Sequence, residues 1–122
     1  MLDRDFADRF AREWIEAWNT RNVDAVLDHY DDEIAFTSPF IIRVAGEPSG
    51  TLRGKPALRD YFDKALAINT NLRFELIDTY HGIDSIVVNY RSHRADGSVL
   101  AAEVLIFGPN GKVLRGYANY NN

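Results

Sequence analysis

The residue with the clearest chemical potential in this sequence is Glu103, a carboxylate in the middle of the apolar run 99–107. Burying an unpaired carboxylate is costly, so this one must be solvated, paired, protonated or functional. In an apolar pocket the pKa of Glu103 would rise, and it would act near pH 7 as a general acid or a neutral hydrogen-bond donor. The alternative is a structural glutamate that is bonded to Tyr90, to Tyr120 or to a tryptophan N–H.

Most other reactive side chains lack the partners that their chemistry needs. The sequence contains no cysteine, which excludes a disulfide framework, a zinc–thiolate site and a Cys nucleophile. No pair among His29, His81 and His93 has metal-ligand spacing, and we predict no metal site. Ser38 has no visible His/Asp relay and lies in no Gly-x-Ser-x-Gly motif, which argues against a serine hydrolase.

Length and charge define the broad class of the protein. The 122 residues are enough for one domain, 1–122, and 46% hydrophobic with 26% charged residues is ordinary for a soluble globular chain. The net charge of −4 argues against a nucleic-acid partner, and no apolar run approaches the roughly 20 residues of a membrane span. The charged N-terminus does not resemble a secretory signal, so we expect a cytoplasmic protein without a membrane partner.

Three amphipathic helices are predicted in the first part of the chain. They cover residues 3–20, residues 23 to about 30 with Asn22 as N-cap, and a segment that begins near Pro56. Residues 41–50 are predicted as a loop or a short irregular strand. Arg43 in this segment and Arg53 after it could close over an acidic ligand, although solvated loop arginines are the commoner interpretation.

Strands dominate the rest of the pattern. A strand is predicted at 34–40, a short extended piece at 51–54, and four longer strands at 72–81, 85–93, 98–107 and 113–120. Asn110-Gly111 gives a hairpin turn between the last two. Helices followed by hairpin-connected strands predict an α+β domain with helices on one face of an antiparallel sheet.

The outer face of this sheet also carries apolar residues. Alternation along strand 98–107 puts Leu100, Val104 and Ile106 on the face opposite Glu103. The helices can cover only one face of the sheet, so the other needs a second cover. A second copy of the chain is the economical cover, which predicts a homodimer formed back to back through the sheet.

Four segments in combination resemble the nuclear transport factor 2-like (NTF2-like) superfamily, which includes SnoaL-like polyketide cyclases and ketosteroid isomerase. The segments are WIEAWN with VDAV (14–19, 23–26), DDEI with FTSP (31–34, 36–39), GKPALRDYF (54–62) and AEVLIF with GKV (102–107, 111–113). This resemblance covers nearly the whole chain. It implies a cone-shaped fold in which three N-terminal helices pack on a curved antiparallel sheet around an apolar pocket. It implies no cofactor, since the chemistry of this fold usually needs only side chains.

The resemblance also implies a set of pocket residues. They are Glu103 as the catalytic candidate and, as ligand-binding residues, Trp14, Trp18, Tyr30, Phe36, Ser38, Tyr61, Phe62, Tyr90 and Tyr120. In the last strand a simple two-strand register would put Tyr117 beside Glu103, whereas the family pattern turns Gly116, Ala118 and Tyr120 inward. We favour the family pattern, because small residues at 116 and 118 leave room for a ligand. Arg115, Tyr117 and Asn119 would then face the dimer partner.

Position by position, the resemblance does not support the ketosteroid isomerase mechanism. That enzyme uses a carboxylate base and an oxyanion hole made of a tyrosine and a protonated acid. Glu103 falls on the acid, but Ser38 falls on the base and Trp14 on the tyrosine. A serine hydroxyl cannot take a proton from carbon at neutral pH without a base of its own, and indole is a poor replacement for a phenol.

Two functional hypotheses remain. The first is a pocket protein that binds an apolar cyclic or polyketide-like small molecule, with isomerase, cyclase or dehydratase chemistry through Glu103. The second is a non-catalytic dimeric binding or interaction module in which the aromatic residues only fill the core. A cavity of a few hundred Å³ beside Glu103, open to solvent, is the feature that distinguishes the first hypothesis from the second.

Overall fold

The computed structural model describes residues 2–122. The helices are α1 (Arg4–Asn19), α2 (Val23–Leu27), α3 (Pro39–Ala45) and α4 (Lys55–Ile68). The strands are β1 (Tyr30–Thr37), β2 (Thr51–Arg53), β3 (Arg73–His81), β4 (Ser85–Arg94), β5 (Gly97–Phe107) and β6 (Val113–Tyr120). The helices α1 and α4 fall where the sequence predicts them, and the strands β3 to β6 match their predicted ranges to within one residue at each end.

The strands form one curved, unclosed sheet in the order β2-β1-β6-β5-β4-β3. Neighbouring strands are antiparallel except for β1 and β6, which are parallel, so the sheet is mixed rather than wholly antiparallel. Helix α1 packs against β3, and α4 packs against β1 and β2. The predicted α+β architecture, with helices on one face of a curved sheet, is confirmed.

Helix α3 is a correction to two predictions, the strand end at 38–40 and the loop or short irregular strand at 41–50. The Ser38 hydroxyl accepts a hydrogen bond from the Phe40 N–H at 3.2 Å, and Pro39 occupies the first turn. Gly46 ends the helix with a φ of 71°, a left-handed conformation that suits glycine. The Ser-Pro pair therefore ends β1 and begins a seven-residue helix, which is too short for its apolar spacing to be distinctive.

The second predicted helix is too long at its C-terminal end. Asn22 is the N-cap, as predicted, and its side chain accepts from the Ala25 N–H at 3.0 Å. Helix α2 ends at Leu27, however, and Tyr30 is the first residue of β1, where it pairs with Val113 of β6. The apolar residues at 23, 26, 27 and 30 fit a helical stripe, but Tyr30 adopts an extended conformation because it pairs with β6.

Alternation along β5 fixes the orientation of Glu103. The odd-numbered residues Ala101, Glu103, Leu105 and Phe107 are buried, whereas Leu100, Ala102, Val104 and Ile106 on the outer face are half-buried. Strand β6 follows the predicted family pattern, because Ala118 pairs with Glu103 and Gly116 with Leu105. An irregularity between Ile106 and Phe107 shifts the pairing, so the simple hairpin register that puts Tyr117 beside Glu103 is wrong.

Gly116 provides the first testable prediction. A Cβ atom at this position would lie 2.7 Å from Phe36 Cδ1 and 3.3 Å from Leu105 Cδ2, and both neighbours are buried. We expect Gly116→Ala to lower the free energy of unfolding by about 1–3 kcal/mol, because the core must shift to admit the methyl group. Urea denaturation followed by circular dichroism measures this change.

The matched control is Gly108→Ala in the β5–β6 connection, where the nearest atom would be at an ordinary 3.6 Å. This variant should stay within about 0.5 kcal/mol of the wild type. A Gly116→Ala protein as stable as its control would show that the Phe36 ring adjusts freely, contrary to the prediction.

Candidate functional site

A cavity of about 360 Å³ lies between the helices and the inner face of the sheet. Side chains from α1, α3, α4 and from every strand except β2 line it. Eight of the ten residues predicted for the pocket are among them: Trp14, Trp18, Phe36, Tyr61, Phe62, Tyr90, Glu103 and Tyr120. The aromatic side chains therefore surround an open space rather than fill it.

The other two predicted residues, Tyr30 and Ser38, do not line the cavity. Tyr30 lies behind the wall, where its hydroxyl accepts a hydrogen bond from Trp14 Nε1 at 3.1 Å in a buried setting. Ser38 is buried at the start of α3 and caps that helix. Both residues support lining side chains instead of facing a ligand.

Glu103 lies in the buried floor of the cavity and is 2% exposed. The Tyr90 hydroxyl donates a hydrogen bond to Glu103 Oε1 at 3.1 Å and is the one hydrogen-bond partner of this carboxyl within residues 2–122. Burial raises the pKa of Glu103 to about 7, and the Tyr90 hydrogen bond opposes part of that rise. The carboxyl can therefore hold or release a proton near neutral pH.

Four tyrosine hydroxyls around Glu103 remain protonated donors. Burial, together with the nearby charge of Glu103, raises the pKa of Tyr30, Tyr90 and Tyr120 above the usual range. Burial also raises the pKa of Tyr61 to about 12, although its contact with the Ser38 hydroxyl lowers it in part. None of these phenols is ionised near pH 7. Among the four tyrosines and Glu103, only Glu103 can therefore act as a base at this pH.

The walls of the cavity are flat aromatic surfaces that hold one another in place. Trp14 stacks on Phe74 with ring centroids 5.7 Å apart, and Phe74 lies 4.6 Å from Tyr90. Trp18 meets Phe62 edge to face at 4.7 Å. Trp18 Nε1 is the one buried side-chain polar atom without a hydrogen-bond partner within residues 2–122. The facing rings thus form a largely apolar wall on this side of the cavity.

The exposed end of the cavity, which we call the mouth, carries two arginines. Arg43 of α3 is exposed and Arg94 of β4 is half-buried, and both line the cavity. Their guanidinium carbons lie 4.6 Å and 4.5 Å from the centre of the Phe40 ring. Arg53, the other arginine considered for an acidic ligand, is exposed on β2 and does not line the cavity.

Several residues that line the cavity are not among those predicted from the sequence. Phe40 and Val44 belong to α3, which the sequence pattern does not reveal. Ser92 and Arg94 could have been found, because they follow Tyr90 at two-residue steps on the same face of β4. Phe74 of β3 pairs with Ser92 of β4. Alternation of apolar and polar residues does not determine this register, so the sequence alone does not place Phe74 beside the cavity.

The described residues give no indication of a metal centre. Within residues 2–122, no three His, Asp or Glu side chains are grouped so that they could hold a metal ion. His93 instead pairs with Glu75 at 2.8 Å on the outer face of the sheet, and His29 lies 3.7 Å from Glu13. No helix in this part of the chain is long and apolar enough to cross a membrane.

Comparison with known proteins identifies relatives of the chain. Residues 11–117 match the model of the SnoaL-like domain. A SnoaL-like protein of unknown function from Burkholderia thailandensis is 45% identical, with 98% of each chain covered and a TM-score of 0.90. An NTF2-like protein of unknown function from Burkholderia pseudomallei is 19% identical, with 94% of this chain and 90% of its own covered and a TM-score of 0.77.

TerC, co-crystallised with polyporic acid, is 12% identical, with 94% of this chain and 92% of its own covered and a TM-score of 0.77. No curated protein matches the chain. The two structures with 19% and 12% identity show a shared fold alone. The domain match and the 45% identical relative each span most of the chain. On this basis, the protein belongs to the SnoaL-like family.

Proposed function

We propose that this protein binds an apolar cyclic or polyketide-like small molecule in the cavity and exchanges a proton with it through Glu103. The observation that carries the proposal is a carboxyl with a pKa of about 7 in the floor of an open cavity of about 360 Å³. A volume of this size is typical of sites for small molecules. A general acid or base is most effective when its pKa is near the working pH.

The arrangement supports isomerisation, cyclisation or dehydration of a carbonyl compound. The ionised Glu103 can take a proton from a carbon next to a carbonyl group, and the same carboxyl can return that proton to another atom of the ligand. The negative charge that develops on the carbonyl oxygen needs a donor, and the Tyr61 and Tyr120 hydroxyls line the same cavity. Because Glu103 acts first as the base and then as the acid, the proton is conserved and no second carboxyl is needed.

TerC supports the proposed class of ligand. It shares the fold and has been co-crystallised with a small organic acid, polyporic acid. The stacked Trp14 and Phe74 rings in the present cavity offer a flat surface for a cyclic ligand.

The alternative function is a non-catalytic dimeric binding or interaction module. The hydrogen bond from Tyr90 favours it, because a buried glutamate with a partner can be purely structural. The absence of a carboxylate at Ser38 and of a phenol at Trp14 favours it too. In this case the cavity would hold a ligand without proton transfer.

The protonation of Glu103 makes stability depend on pH. The folded protein binds this proton more tightly than the unfolded chain does, since the pKa rises from 4.5 to about 7 on folding. The resulting stabilisation is fully present below about pH 4.5 and is lost as the pH rises through 7. We expect the unfolding free energy of the wild type, relative to Glu103→Gln, to fall by about 2–3 kcal/mol between pH 5 and pH 8.

Urea denaturation of both proteins at several pH values measures this difference. The matched control is Glu16→Gln, which makes the same chemical change at an exposed position of α1. The control should follow the pH dependence of the wild type. A difference between wild type and Glu103→Gln that does not change with pH would contradict an elevated pKa.

Ligand binding tests the proposal directly. We would screen steroid, polyketide and terpene-like compounds by thermal shift against wild type, Glu103→Gln and the control Glu16→Gln. A ligand that binds the folded state raises the melting temperature. We expect a stabilising compound whose effect is reduced in Glu103→Gln and is retained in the control. Failure of every compound to stabilise the wild type would favour the interaction module.

Proton transfer has its own measurement with the stabilising compound. In D₂O, NMR follows the replacement of carbon-bound hydrogen in the compound by deuterium. We expect the wild type to catalyse this exchange and Glu103→Gln to lose it, because an amide cannot accept the proton. Binding without any exchange by the wild type would support the non-catalytic alternative.

We also propose that the protein forms a homodimer through the outer face of the sheet. Tyr80, Val87, Val104 and Tyr117 form one cross-strand row on this face, and Leu100 and Ile106 flank the row on β5. Tyr80 and Tyr117 are 53% and 36% exposed in the single chain. Large apolar surfaces of this kind commonly serve as interfaces, and a second copy of the same face would cover it.

Tyr117→Arg tests the dimer. We expect the wild type to be dimeric and the variant monomeric in size-exclusion chromatography with light scattering, because the interface would bury two uncompensated charges. The control is Ile83→Arg, which places the same charge at a 78% exposed residue in the β3–β4 turn. A monomeric wild type would refute the dimer.

A further inference from the structure

We propose that the ligand of this cavity carries an ionised acidic group, such as a carboxylate, which Arg43 and Arg94 bind at the mouth while the apolar rings lie against the floor. The inference rests on the proposed function, because it requires the cavity to be a ligand site. It adds the chemical class of the ligand and its direction in the cavity. The acidic group would point outward, and the opposite end would reach Glu103.

The two guanidinium groups are held in place by contacts that leave their charge available. Both lie against the Phe40 ring, at 4.6 Å for Arg43 and 4.5 Å for Arg94. Arg94 also lies 5.5 Å from the Tyr120 ring, and its Nε donates to Ser92 Oγ at 3.4 Å. Contacts with neutral aromatic and hydroxyl groups orient a guanidinium without neutralising it.

In the described part of the chain, neither of the two arginines at the mouth has a salt-bridge partner that would neutralise it. Arg4 pairs with Asp8 and Arg59 pairs with Asp24. Within residues 2–122, no carboxylate oxygen lies within 4.0 Å of either Arg43 or Arg94. Asp96 also lines the mouth, but it is exposed and forms no such pair. Two unpaired cations on one ring repel each other, and an anion between them removes this cost.

The route from the mouth to Glu103 runs along a single strand. Arg94, Ser92 and Tyr90 follow one another on the inner face of β4, and the Tyr90 hydroxyl donates to Glu103. Tyr90 and Arg94 are four residues apart, which is about 13 Å along an extended strand. The cavity of about 360 Å³ that these residues line has room for a planar body between the acidic group and the carboxyl. Trp14, Phe74 and Tyr90 provide the walls along this length.

The simpler explanation of these contacts is surface packing, in which two long side chains cover an otherwise exposed Phe40 ring. Packing alone predicts that the charge of a ligand has no influence on its binding. An anion site predicts that an acid binds more tightly than its neutral amide of the same size. This difference can be measured without knowing the natural ligand.

The test uses three aromatic acids, 2-naphthoate, anthracene-2-carboxylate and biphenyl-4-carboxylate, each with its uncharged amide. Binding is followed by quenching of the fluorescence of Trp14 and Trp18, the two tryptophans of the chain, both of which line the cavity. The proteins are the wild type, Arg43→Gln, Arg94→Gln and the control Arg53→Gln, which alters an arginine outside the cavity. All measurements are made at pH 6.0, where these acids are ionised.

We expect at least one acid to bind the wild type and the control about tenfold more tightly than its amide, as charge-assisted hydrogen bonds would give. Arg43→Gln and Arg94→Gln should each remove most of this preference, because they weaken binding of the acid far more than binding of the amide. Added salt should weaken binding of the acid alone. Melting temperatures show which variants are folded, and exposed Arg43 provides the test even if Arg94→Gln is unstable.

Equal binding of acid and amide, with no effect of either arginine substitution, would overturn the anion site and leave the proposed function intact. A preference for acids that persists in both arginine variants would overturn it as well, because the charge would be recognised elsewhere. Failure of all six compounds to bind would count against the proposed function and therefore against the anion site that rests on it.

Discussion

Ionising a carboxyl among buried aromatic side chains is costly, and this cost determines the chemistry of the inner face of the sheet. Glu103 is 2% exposed, and one hydrogen bond from Tyr90 offsets only part of the cost of removing its charge from water. The carboxyl therefore remains protonated up to a pH of about 7. A group under this constraint is suited to proton exchange, whereas an apolar residue of similar size would serve a purely structural role with less cost.

Small residues in the neighbouring strand allow close packing beside Glu103, and the space at Gly116 that was predicted to leave room for a ligand is taken by core side chains. Ala118 lies directly opposite Glu103, and the Phe36 ring occupies the space that a side chain at Gly116 would need. Helix α3 then provides the outer wall through Phe40, which the Ser38 cap holds at the end of β1. Phe36 and Phe40 thus line the cavity from two adjoining elements, β1 and α3.

The sequence predicts most of the fold because alternation and amphipathic spacing are local signals. The two faces of β5 and the aromatic stripe of α1 could be predicted directly, and eight of the ten residues that the family resemblance implied for the pocket line the cavity. The parallel pairing of β1 with β6 could not be predicted from the sequence, since it joins residues about 80 positions apart. Helix α3 was missed because Pro39 signals the end of a strand and the start of a helix equally well. The cytoplasmic location and the lack of a cofactor stay predictions.

The two ends of the cavity differ in their electrostatics, and this has a consequence for the proposed proton exchange. Below its pKa of about 7 the Glu103 carboxyl is neutral and can donate a hydrogen bond, while the arginines at the mouth remain charged at any physiological pH. A ligand with one acidic end and one carbonyl end can enter only one way without placing its charge beside an apolar wall. Above the pKa, the ionised carboxyl repels an acidic group and enforces the same direction. If both proposals hold, orientation follows from charge, and it brings the carbonyl end of the ligand, where a proton can be exchanged, to Glu103.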